Sequence, residues 1–258
     1  MSVTQTVGFA GGGGIPAVGF GTWQLTGRTC RDAVVAALRS GYRHLDTATM
    51  YRNEAEIGKA WRDSGVPRDE VFVTTKLPPA RAGRARATLQ ESLRGLGVDH
   101  VDLWLIHWPP GRDASPRLWA EFVAARNAGL TRHIGVSNYS PAEIDLLVRT
   151  SGEAPALNQI PFGPSDWDPA LVAAHAERGV VVEGYSAFKR NDLRAPALVA
   201  VAEAHGVTVP QVIVRWHVQH GVVVIPKSRT PERIAANIDV DGFSLTDDEM
   251  AAVDALGG

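Results

Sequence analysis

The sequence predicts a single α/β domain with the architecture of a (β/α)8 barrel. Short apolar runs alternate with longer segments of helical periodicity along almost the whole chain. Such alternation is typical of a parallel sheet whose strands are joined by helical crossovers. The 258 residues match the size of a closed eightfold barrel, which typically has about 250 residues. No linker or low-complexity tract divides residues 1–258, so we expect one domain.

The pattern also places the individual elements of this barrel. Eight apolar runs are candidate strands, and they lie at residues 18–23, 42–47, 71–76, 101–107, 133–138, 155–159, 179–185 and 221–227. Segments with apolar residues three and four apart, most of them ending in Gly, predict helices at 29–41, 53–65, 84–97, 116–129, 141–152 and 168–179. An N-terminal β-hairpin is predicted at residues 4–20, and two extra helices are predicted at 194–206 and 208–221.

A rival architecture is an open dinucleotide-binding sheet, which is marked by a Gly-rich turn between a strand and a helix. Residues 12–17, GGGIPA, resemble that turn in their letters. However, Pro16 and the strand-like residues that follow leave no helix to receive a pyrophosphate. These glycines are therefore expected to form the turn of the hairpin.

The composition excludes several classes of protein. Hydrophobic residues make up 45% of the chain and charged residues 21%, as in ordinary soluble globular proteins. The formal net charge of −2 gives no overall positive field for nucleic acid or an anionic membrane. The single cysteine, Cys30, excludes an internal disulfide and fits a reducing compartment. There is no signal-peptide pattern and no apolar run of the roughly 20 residues that span a bilayer, so we expect a cytoplasmic protein.

Polar residues stand at the ends of the candidate strands. In a barrel of this kind the chemistry lies at the C-terminal ends of the strands. The residues at these ends, in chain order, are Thr22 and Trp23, Asp46, Lys76, His107, Ser137 and Asn138, Asn158 and Gln159, Tyr185, and Lys227 and Ser228. A single such end could be a coincidence, but eight of them predict a polar-lined pocket at one rim.

Asp46, Tyr51, Lys76 and His107 are expected to converge at this rim. A buried lysine is costly unless it is paired, so Lys76 should form an ion pair with Asp46. The ammonium group should then favour the phenolate of Tyr51 and lower the tyrosine pKa from about 10. A tyrosine of this kind can donate a proton to a carbonyl oxygen that becomes an alkoxide. His107 could orient the carbonyl by hydrogen bonding or share in the proton transfer, and no metal is required.

Each of these four residues, taken alone, also has an ordinary structural explanation. Asp46 could cap a helix, and Tyr51 could be an amphipathic residue at the rim. Lys76 could be a solvated residue at a strand end, and His107 could be a hydrogen-bonded histidine of the core. Their joint placement after successive strands favours a catalytic group over four separate structural roles.

Five segments, in this order, resemble the signatures of the aldo-keto reductase family. The resemblance is greatest to the short bacterial members of this family. The segments are GYRHLDTATMYRNEAEIG (41–58), VFVTTKL (71–77), VDLWLIHWP (101–109), IGVSNY (134–139) and IPKSRTPERIAAN (225–237). The resemblance extends from about Ile15 to the end of the chain. It implies a monomeric barrel enzyme that uses NADPH to reduce an aldehyde or ketone to an alcohol.

The resemblance also implies roles for individual residues. Asp46, Tyr51, Lys76 and His107 correspond to the catalytic tetrad of the family, with Tyr51 as the general acid. The residues implied to bind NADPH are Thr22, Trp23, Asp46, Ser137, Asn138, Gln159, Tyr185, Ser186, Phe188, Lys227, Ser228, Arg229, Arg233 and Asn237. Among these, Ser137, Asn138 and Gln159 would bind the carboxamide, and Tyr185 would stack on the nicotinamide. The residues implied to contact the substrate are Trp23, Tyr51, His107 and Trp108.

A cluster of positive charge follows the last candidate strand. Lys227, Arg229 and Arg233 place three cations within seven residues. Thr230 and Pro231 predict the N-cap and first position of a helix, and helix N-termini with flanking cations bind anions. The resemblance assigns this place, with Ser228, to the 2′-phosphate of NADPH. A solvated basic turn is the alternative.

Two other functions remain open at the level of sequence. One is a nucleotide-sensing partner protein with little turnover, which the four filled tetrad positions disfavour. The other is a Schiff-base lyase with Lys76 as the nucleophile, which Asp46 disfavours because it keeps the amine protonated. The chain stops soon after its last predicted helix, so we expect an open pocket with loose specificity for keto-sugars, dicarbonyls or aromatic aldehydes.

Overall fold

A sheet of eight parallel strands forms the centre of the computed structural model, which describes residues 5–111 and 115–257. A separate antiparallel hairpin precedes this sheet. The described strands are β1 (Thr6–Gly8), β2 (Gly14–Pro16), β3 (Phe20–Gly21), β4 (His44–Asp46), β5 (Phe72–Leu77), β6 (Val101–Ile106), β7 (Thr131–Ser137), β8 (Leu157–Pro161), β9 (Val181–Tyr185) and β10 (Val223–Val224). Strands β3 to β10 pair with their neighbours in chain order, as expected for a (β/α)8 barrel.

Backbone hydrogen bonds between the first and last parallel strands close the sheet into a barrel. Val18 pairs with Val224, and the amide of Gly19 donates to the carbonyl of Val224 at 2.8 Å. Beyond them, the amide of Gly21 donates to the carbonyl of Pro226 at 3.1 Å. Gly21 allows this close approach, since a Cβ atom there would lie 2.8 Å from the carbonyl oxygen of Ile225. The predicted barrel is therefore confirmed, including its closure.

The N-terminal hairpin of β1 and β2 is also confirmed. Val7 pairs with Ile15, and the amide of Phe9 donates to the carbonyl of Gly13 across the turn. Gly13 has a φ of 74°, a left-handed conformation that glycine adopts without strain. Phe9 and Ile15 form a small buried cluster with side chains of the barrel strands, namely Leu103, Leu105, Leu157 and Val223. The Gly-rich segment thus forms a turn, as expected, and precedes a strand instead of a helix.

Helices surround the sheet and join successive parallel strands. The described α-helices are α1 (Gly27–Arg39), α2 (Glu54–Ser64), α3 (Ala85–Leu96), α4 (Ser115–Asn127), α5 (Pro141–Ser151), α6 (Pro169–Glu177), α7 (Pro196–His205), α8 (Val209–Gln219), α9 (Pro231–Ile238) and α10 (Asp247–Asp254). The two extra helices predicted after the seventh parallel strand correspond to α7 and α8. Within residues 5–111 and 115–257 no single helix is long and apolar enough to cross a bilayer; α7 and α8 pass that test only as a pair bent by 93°.

Local sequence signals account for the ends of helix α5. Ser140 and Glu143 form a capping box, in which each side chain bonds to the backbone of the other. Pro141 occupies the first helical position, where its missing N–H costs nothing. Gly152 ends the helix with a φ of 77°. The predicted bounds of this helix therefore lie within one residue of the observed ones.

Helix α1 turns its apolar face into the main hydrophobic core and buries the only cysteine of the chain. Cys30, Val34 and Ala37 lie on this face and are fully buried. Burial raises the pKa of the Cys30 thiol to about 12, and the negative charge of Glu56 acts in the same direction. The thiol is therefore held in its neutral form.

Five of the predicted strands are shorter in the structure, and the first and last parallel strands shorten most. The first parallel strand was expected at 18–23 but ends at Gly21, because Thr22 begins a turn in which its carbonyl accepts from the amide of Leu25. The last was expected at 221–227, whereas β10 has only two residues. The residues that follow β3 and β10 lie at the same rim of the barrel as the polar residues of the candidate site.

Candidate active site

An ion pair between Asp46 and Lys76 lies at the centre of the site. Asp46 is the last residue of β4 and faces Thr74 on β5, so Lys76, two residues further along β5, projects on the same side. Lys76 Nζ lies 2.7 Å from both carboxylate oxygens of Asp46 and 2.8 Å from the carbonyl oxygen of Thr47. The lysine side chain is fully buried. Its three protons are thus matched by three acceptors.

The charge of Lys76 is retained in spite of its burial. Burial opposes the ammonium form, but Asp46, together with the smaller effects of Tyr51 and Glu183, outweighs it and raises the pKa of Lys76 above its usual value. A buried ion pair persists only where further hydrogen bonds complete it, and the carbonyl of Thr47 supplies one here. The site therefore contains a fixed positive charge at neutral pH.

Tyr51 and His107 lie next to this ion pair. Tyr51 ends a short 3-10 turn after β4, and Lys76 Nζ lies 5.1 Å from the centre of its ring. The ring of His107 meets that of Tyr51 edge to face, with 5.8 Å between centroids, and stacks on Trp108 at 4.0 Å. The structure thus brings together all four residues that the sequence placed at the rim.

The predicted direction of the Tyr51 pKa is wrong for this structure. Burial raises the pKa of the phenol above its usual value, and the opposing effect of Lys76 is smaller. Asp46 reduces the influence of the lysine because its negative charge also favours the neutral phenol. Tyr51 is consequently a fully protonated donor at neutral pH.

His107 has an uncharged imidazole ring. Its pKa is lowered to about 2, mainly because the ring is buried and also because Lys76 is nearby. Its Nδ1 atom is buried and has no hydrogen-bond partner among the described residues. A neutral imidazole carries a single N–H, so this ring can donate one hydrogen bond without bringing a second positive charge to the site.

Asp46, Tyr51 and His107 form part of the wall of a cavity of about 520 Å³ at the C-terminal rim of the barrel. Trp23 and Trp108 stand at the edge of the cavity and are 46% and 39% exposed. Phe188, Ser186 and Lys189 line it from the segment after β9, and Lys189 Nζ lies 5.9 Å from the centre of the Trp23 ring. The opening is therefore framed by aromatic surface on two sides.

A hydrogen-bonded polar wall lies across the cavity. Ser137 Oγ donates to the carbonyl of Gln159 at 2.8 Å. Asn138 Nδ2 donates to the carbonyl of His107 and to Ser137 Oγ, and Tyr185 donates its hydroxyl proton to Asn138 Oδ1 at 2.8 Å. Asn138 has a φ of 64°, which turns its side chain out of the line of β7. These hydrogen bonds hold the side chains of Ser137, Asn138 and Tyr185 in place along one side of the cavity.

The two residues expected at the end of the sixth candidate strand point in opposite directions. Gln159 lines the cavity. The Nδ2 atom of Asn158 bonds instead to the carbonyl of Tyr139 and to a ring nitrogen of His175 on α6, outside the barrel. Alternation along a strand explains the difference, because neighbouring side chains face opposite sides of the sheet.

Thr22 lies behind the wall of the cavity. It is fully buried, and its hydroxyl donates to the carbonyl of Asp46 at 2.8 Å. Asn53 supports the same region, since its Nδ2 atom donates to the carbonyls of Thr22 and Leu25. Sequence analysis did not select Asn53, and only its place at the start of a predicted helix could have drawn attention to it.

Glu183 is a second residue that the sequence analysis missed. It is fully buried on β9, and its Oε2 atom accepts a hydrogen bond from Gln159 at 2.9 Å. The same Gln159 nitrogen donates to Asp46 Oδ2, also at 2.9 Å. The sequence does contain a signal for this residue, because Glu183 is the only carboxyl in the apolar run GVVVEGY.

The basic residues after β10 are distributed between the cavity and the surface. Lys227 lines the cavity, and its pKa is lowered by partial burial and by the neighbouring charge of Arg229. Arg229 and Arg233 are exposed, whereas Asn237 is buried on α9. Ser228 Oγ accepts from the amide of Thr230, and the Thr230 side chain does not cap α9 although it stands at the N-cap.

The residues described at 5–111 and 115–257 include no group of three or more His, Cys, Asp or Glu side chains arranged to hold a metal ion.

Comparison with known proteins identifies the family. Residues 17–257 match the model of the aldo/keto reductase family. The chain is 44% identical over 243 residues to 2,5-diketo-D-gluconic acid reductase B of a Corynebacterium species, with 92% of this chain and 88% of that protein covered. Among solved structures, an aldo/keto reductase from Brucella melitensis superposes with a TM-score of 0.94 at 39% identity, covering 98% and 99% of the two chains. A Bombyx mori aldo-keto reductase in complex with NADP superposes with a TM-score of 0.91 at 33% identity, covering 99% and 94%. The chain belongs to the aldo/keto reductase family of oxidoreductases.

Proposed function

We propose that this protein is an NADPH-dependent carbonyl reductase, which converts an aldehyde or ketone to an alcohol with Tyr51 as the proton donor. The observation that carries the proposal is the convergence of Tyr51, His107 and the Asp46–Lys76 ion pair on one cavity. A fixed ammonium beside a protonated phenol is suited to a reaction in which negative charge develops on an oxygen atom.

The cavity has the groups that a nicotinamide dinucleotide needs. A polar wall with Ser137 and Gln159, an aromatic ring at Tyr185 and a cation at Lys227 all line it. The Bombyx mori relative, which has a similar fold, is in complex with NADP. When bound, NADPH would supply a hydride to the carbonyl carbon of the substrate.

The residues of this chain would donate the proton and stabilise the negative charge that develops during the reaction. Tyr51 donates its phenolic proton to the carbonyl oxygen, and the Lys76 ammonium stabilises the phenolate that remains. Asp46 keeps Lys76 protonated throughout. His107, as a neutral donor, would hydrogen-bond the same oxygen and hold the carbonyl in line. The two exposed tryptophans, Trp23 and Trp108, would pack against the body of the substrate.

The environment of Lys76 disfavours the alternative of a Schiff-base lyase. A nucleophilic amine must lose a proton, yet all three protons of this ammonium are donated to acceptors. The raised pKa of Lys76 acts in the same direction.

The substitution Tyr51→Phe tests the assignment of the proton donor. We expect the variant to bind NADP⁺ as the parent does, because the lost hydroxyl is assigned to the substrate. Turnover should fall by about 100-fold or more, the usual effect of losing a general acid. The measurement is NADPH consumption across a panel of aldehydes and ketones, together with NADP⁺ titration. Parent-like turnover in Tyr51→Phe would reject Tyr51 as the acid.

We also propose that the protein is a cytoplasmic monomer with a single domain. Its substrates would be free small molecules. The net charge of −2 offers no attraction to polyanions, and the single cysteine is buried. Light scattering coupled to size exclusion would check the monomer, since a dimer would have twice the mass of 27.6 kDa.

A further inference from the structure

The two hydrogen bonds of Gln159 fix the orientation of its side-chain amide. Both carboxylate oxygens of Asp46 accept from the Lys76 ammonium, so the contact between Oδ2 and Gln159 requires a donor on the glutamine side. The amide nitrogen of Gln159 must therefore face Asp46, and its second proton goes to Glu183 Oε2. One hydrogen bond alone would leave the amide free to rotate about it, whereas two fix the plane of the group.

This orientation leaves the carbonyl oxygen of Gln159 for a ligand. Both protons on Nε2 are used within the protein, and no hydrogen bond among the described residues engages Oε1. Gln159 lines the cavity next to Ser137 and Asn138. An oxygen in this position can accept from the amide nitrogen of a carboxamide, whereas the reversed amide would meet that nitrogen with N–H groups of its own.

Placing the carboxyl group of Glu183 at this position costs folding free energy. It is fully buried, and its Oε1 atom has no hydrogen-bond partner among the described residues. The nearest basic group is His44 Nε2, at 3.8 Å, which is too far for a hydrogen bond. Val182 and Gly184 flank Glu183 on β9, and an apolar side chain would fill the position without this cost. Buried polar atoms without partners call for an explanation other than stability.

We propose that Glu183 is a positioning residue, which acts through Gln159 to hold its amide carbonyl toward the carboxamide of the bound nicotinamide. The inference rests on the proposed NADPH function. Glu183 contacts neither cofactor nor substrate in this scheme. Its hydrogen bond sets the direction of a group that does.

The test compares binding of two ligands to Glu183→Val, which removes the acceptor at nearly unchanged volume. NADP⁺ carries the nicotinamide carboxamide, whereas 2′,5′-ADP carries the 2′-phosphate but no nicotinamide. We expect the Kd of NADP⁺, measured by calorimetry, to rise about fivefold, the size of one lost hydrogen bond. The Kd of 2′,5′-ADP should not change. If Glu183→Val does not fold, Glu183→Ala is compared in the same way.

Two further variants separate positioning from a general structural effect. Glu183→Gln retains an oxygen that can accept from Gln159, so its Kd for NADP⁺ should stay within about twofold of the parent. In a Gln159→Ala background, Glu183→Val should have no further effect, because its influence passes through the missing amide.

Each outcome of these titrations decides the inference. Parent-like NADP⁺ binding by Glu183→Val would overturn it, and so would equal weakening of both ligands or an undiminished effect in the Gln159→Ala background. If the parent chain itself failed to bind NADP⁺, the proposed function would fall and this inference with it. Parent binding together with an unchanged Glu183→Val variant would reject only the role of Glu183.

Discussion

At the scale of single residues, Glu183 has a strong expected influence on how stability depends on pH. Burial raises the pKa of this carboxyl to about 8, and the negative charge of Asp46 adds to the rise. The hydrogen bond from Gln159 and the charge of Lys76 oppose it only in part. The carboxyl is therefore protonated through most of the range in which the protein would work.

This raised pKa has a direct thermodynamic consequence. In the unfolded chain Glu183 ionises near its ordinary pKa of 4.5, whereas in the folded chain it ionises near 8. Between these values the folded state holds the extra proton, so stability decreases as pH rises from about 4.5 to about 8. Glu183→Gln cannot ionise and should escape this loss. We expect the variant to become more stable than the parent with rising pH, by on the order of 2 kcal/mol at pH 8.5.

Thermal unfolding of both proteins from pH 5.5 to 9 would check this expectation. The difference in Tm should widen up to about pH 8 and then stay constant. Glu203→Gln, which changes an exposed carboxyl on α7, controls for the loss of one charge. A gap between Glu183→Gln and the parent that is the same at every pH would contradict the assignment.

Sequence reasoning identified the residues of the site more reliably than their electrostatic state. The motif around Asp46 and Tyr51 and the strand ends at Lys76 and His107 were sufficient to bring the four residues together. The direction of the Tyr51 pKa was wrong because desolvation depends on how many atoms surround the phenol, which only the tertiary structure defines. Glu183 was missed for a similar reason, since a carboxyl in a strand gives no indication of which face it occupies.

At the scale of elements, the turn after β10 and the start of α9 form the proposed site for the 2′-phosphate of NADPH. Lys227 lines the cavity, while Arg229 and Arg233 are exposed and can move toward a ligand. The amides of the first turn of α9 are not capped by the Thr230 side chain. A phosphate at this place would thus meet both side-chain cations and backbone N–H groups.

Arg233→Ala tests this site. NADH lacks the 2′-phosphate, so losing one cation should raise the KM for NADPH about tenfold and leave that for NADH nearly unchanged. Steady-state kinetics with both cofactors and one aldehyde would measure the split. Arg86→Ala, which removes another exposed arginine on α3, is the matched control. Equal changes in both KM values would reject the phosphate assignment.

The helices and strands could be predicted because their signals are local. Apolar periodicity, prolines at first turns and terminal glycines placed α5 to within one residue. The ends of β3 and β10 were not predicted, because apolar residues such as Trp23 and Ile225 continue the pattern beyond the last residue of each strand. In the structure, the turn from Thr22 to Leu25 takes the chain out of the sheet after β3. The inward direction of Gln159 and the outward direction of Asn158 likewise depend on the register of β8 with its neighbours.

At the scale of the whole molecule, the fold depends on the seam between β3 and β10. Gly21 lies at this seam, and a side chain there would press on the carbonyl of Ile225 at 2.8 Å. We expect Gly21→Ala to destabilise the protein by about 1–3 kcal/mol, the usual cost of overpacking. Denaturant unfolding followed by circular dichroism would measure the change in the free energy of unfolding.

Gly11→Ala is the matched control for this experiment. A Cβ atom at Gly11 would meet no atom within 4 Å, so its substitution should change stability by less than about 0.5 kcal/mol. If the two variants were equally stable, the seam would tolerate more crowding than its geometry indicates. A single cooperative transition in both would agree with one folding unit.

The position of Cys30 makes this protein a convenient background for chemical labelling. It is the only cysteine of the chain, it is fully buried on the inner face of α1, and its thiol stays un-ionised well above neutral pH. Maleimide dyes and spin labels attack thiolates that solvent can reach. A cysteine introduced at the rim of the barrel would therefore be the only thiol that reacts with such a label. Loop movements at the rim could then be followed by fluorescence without first replacing Cys30.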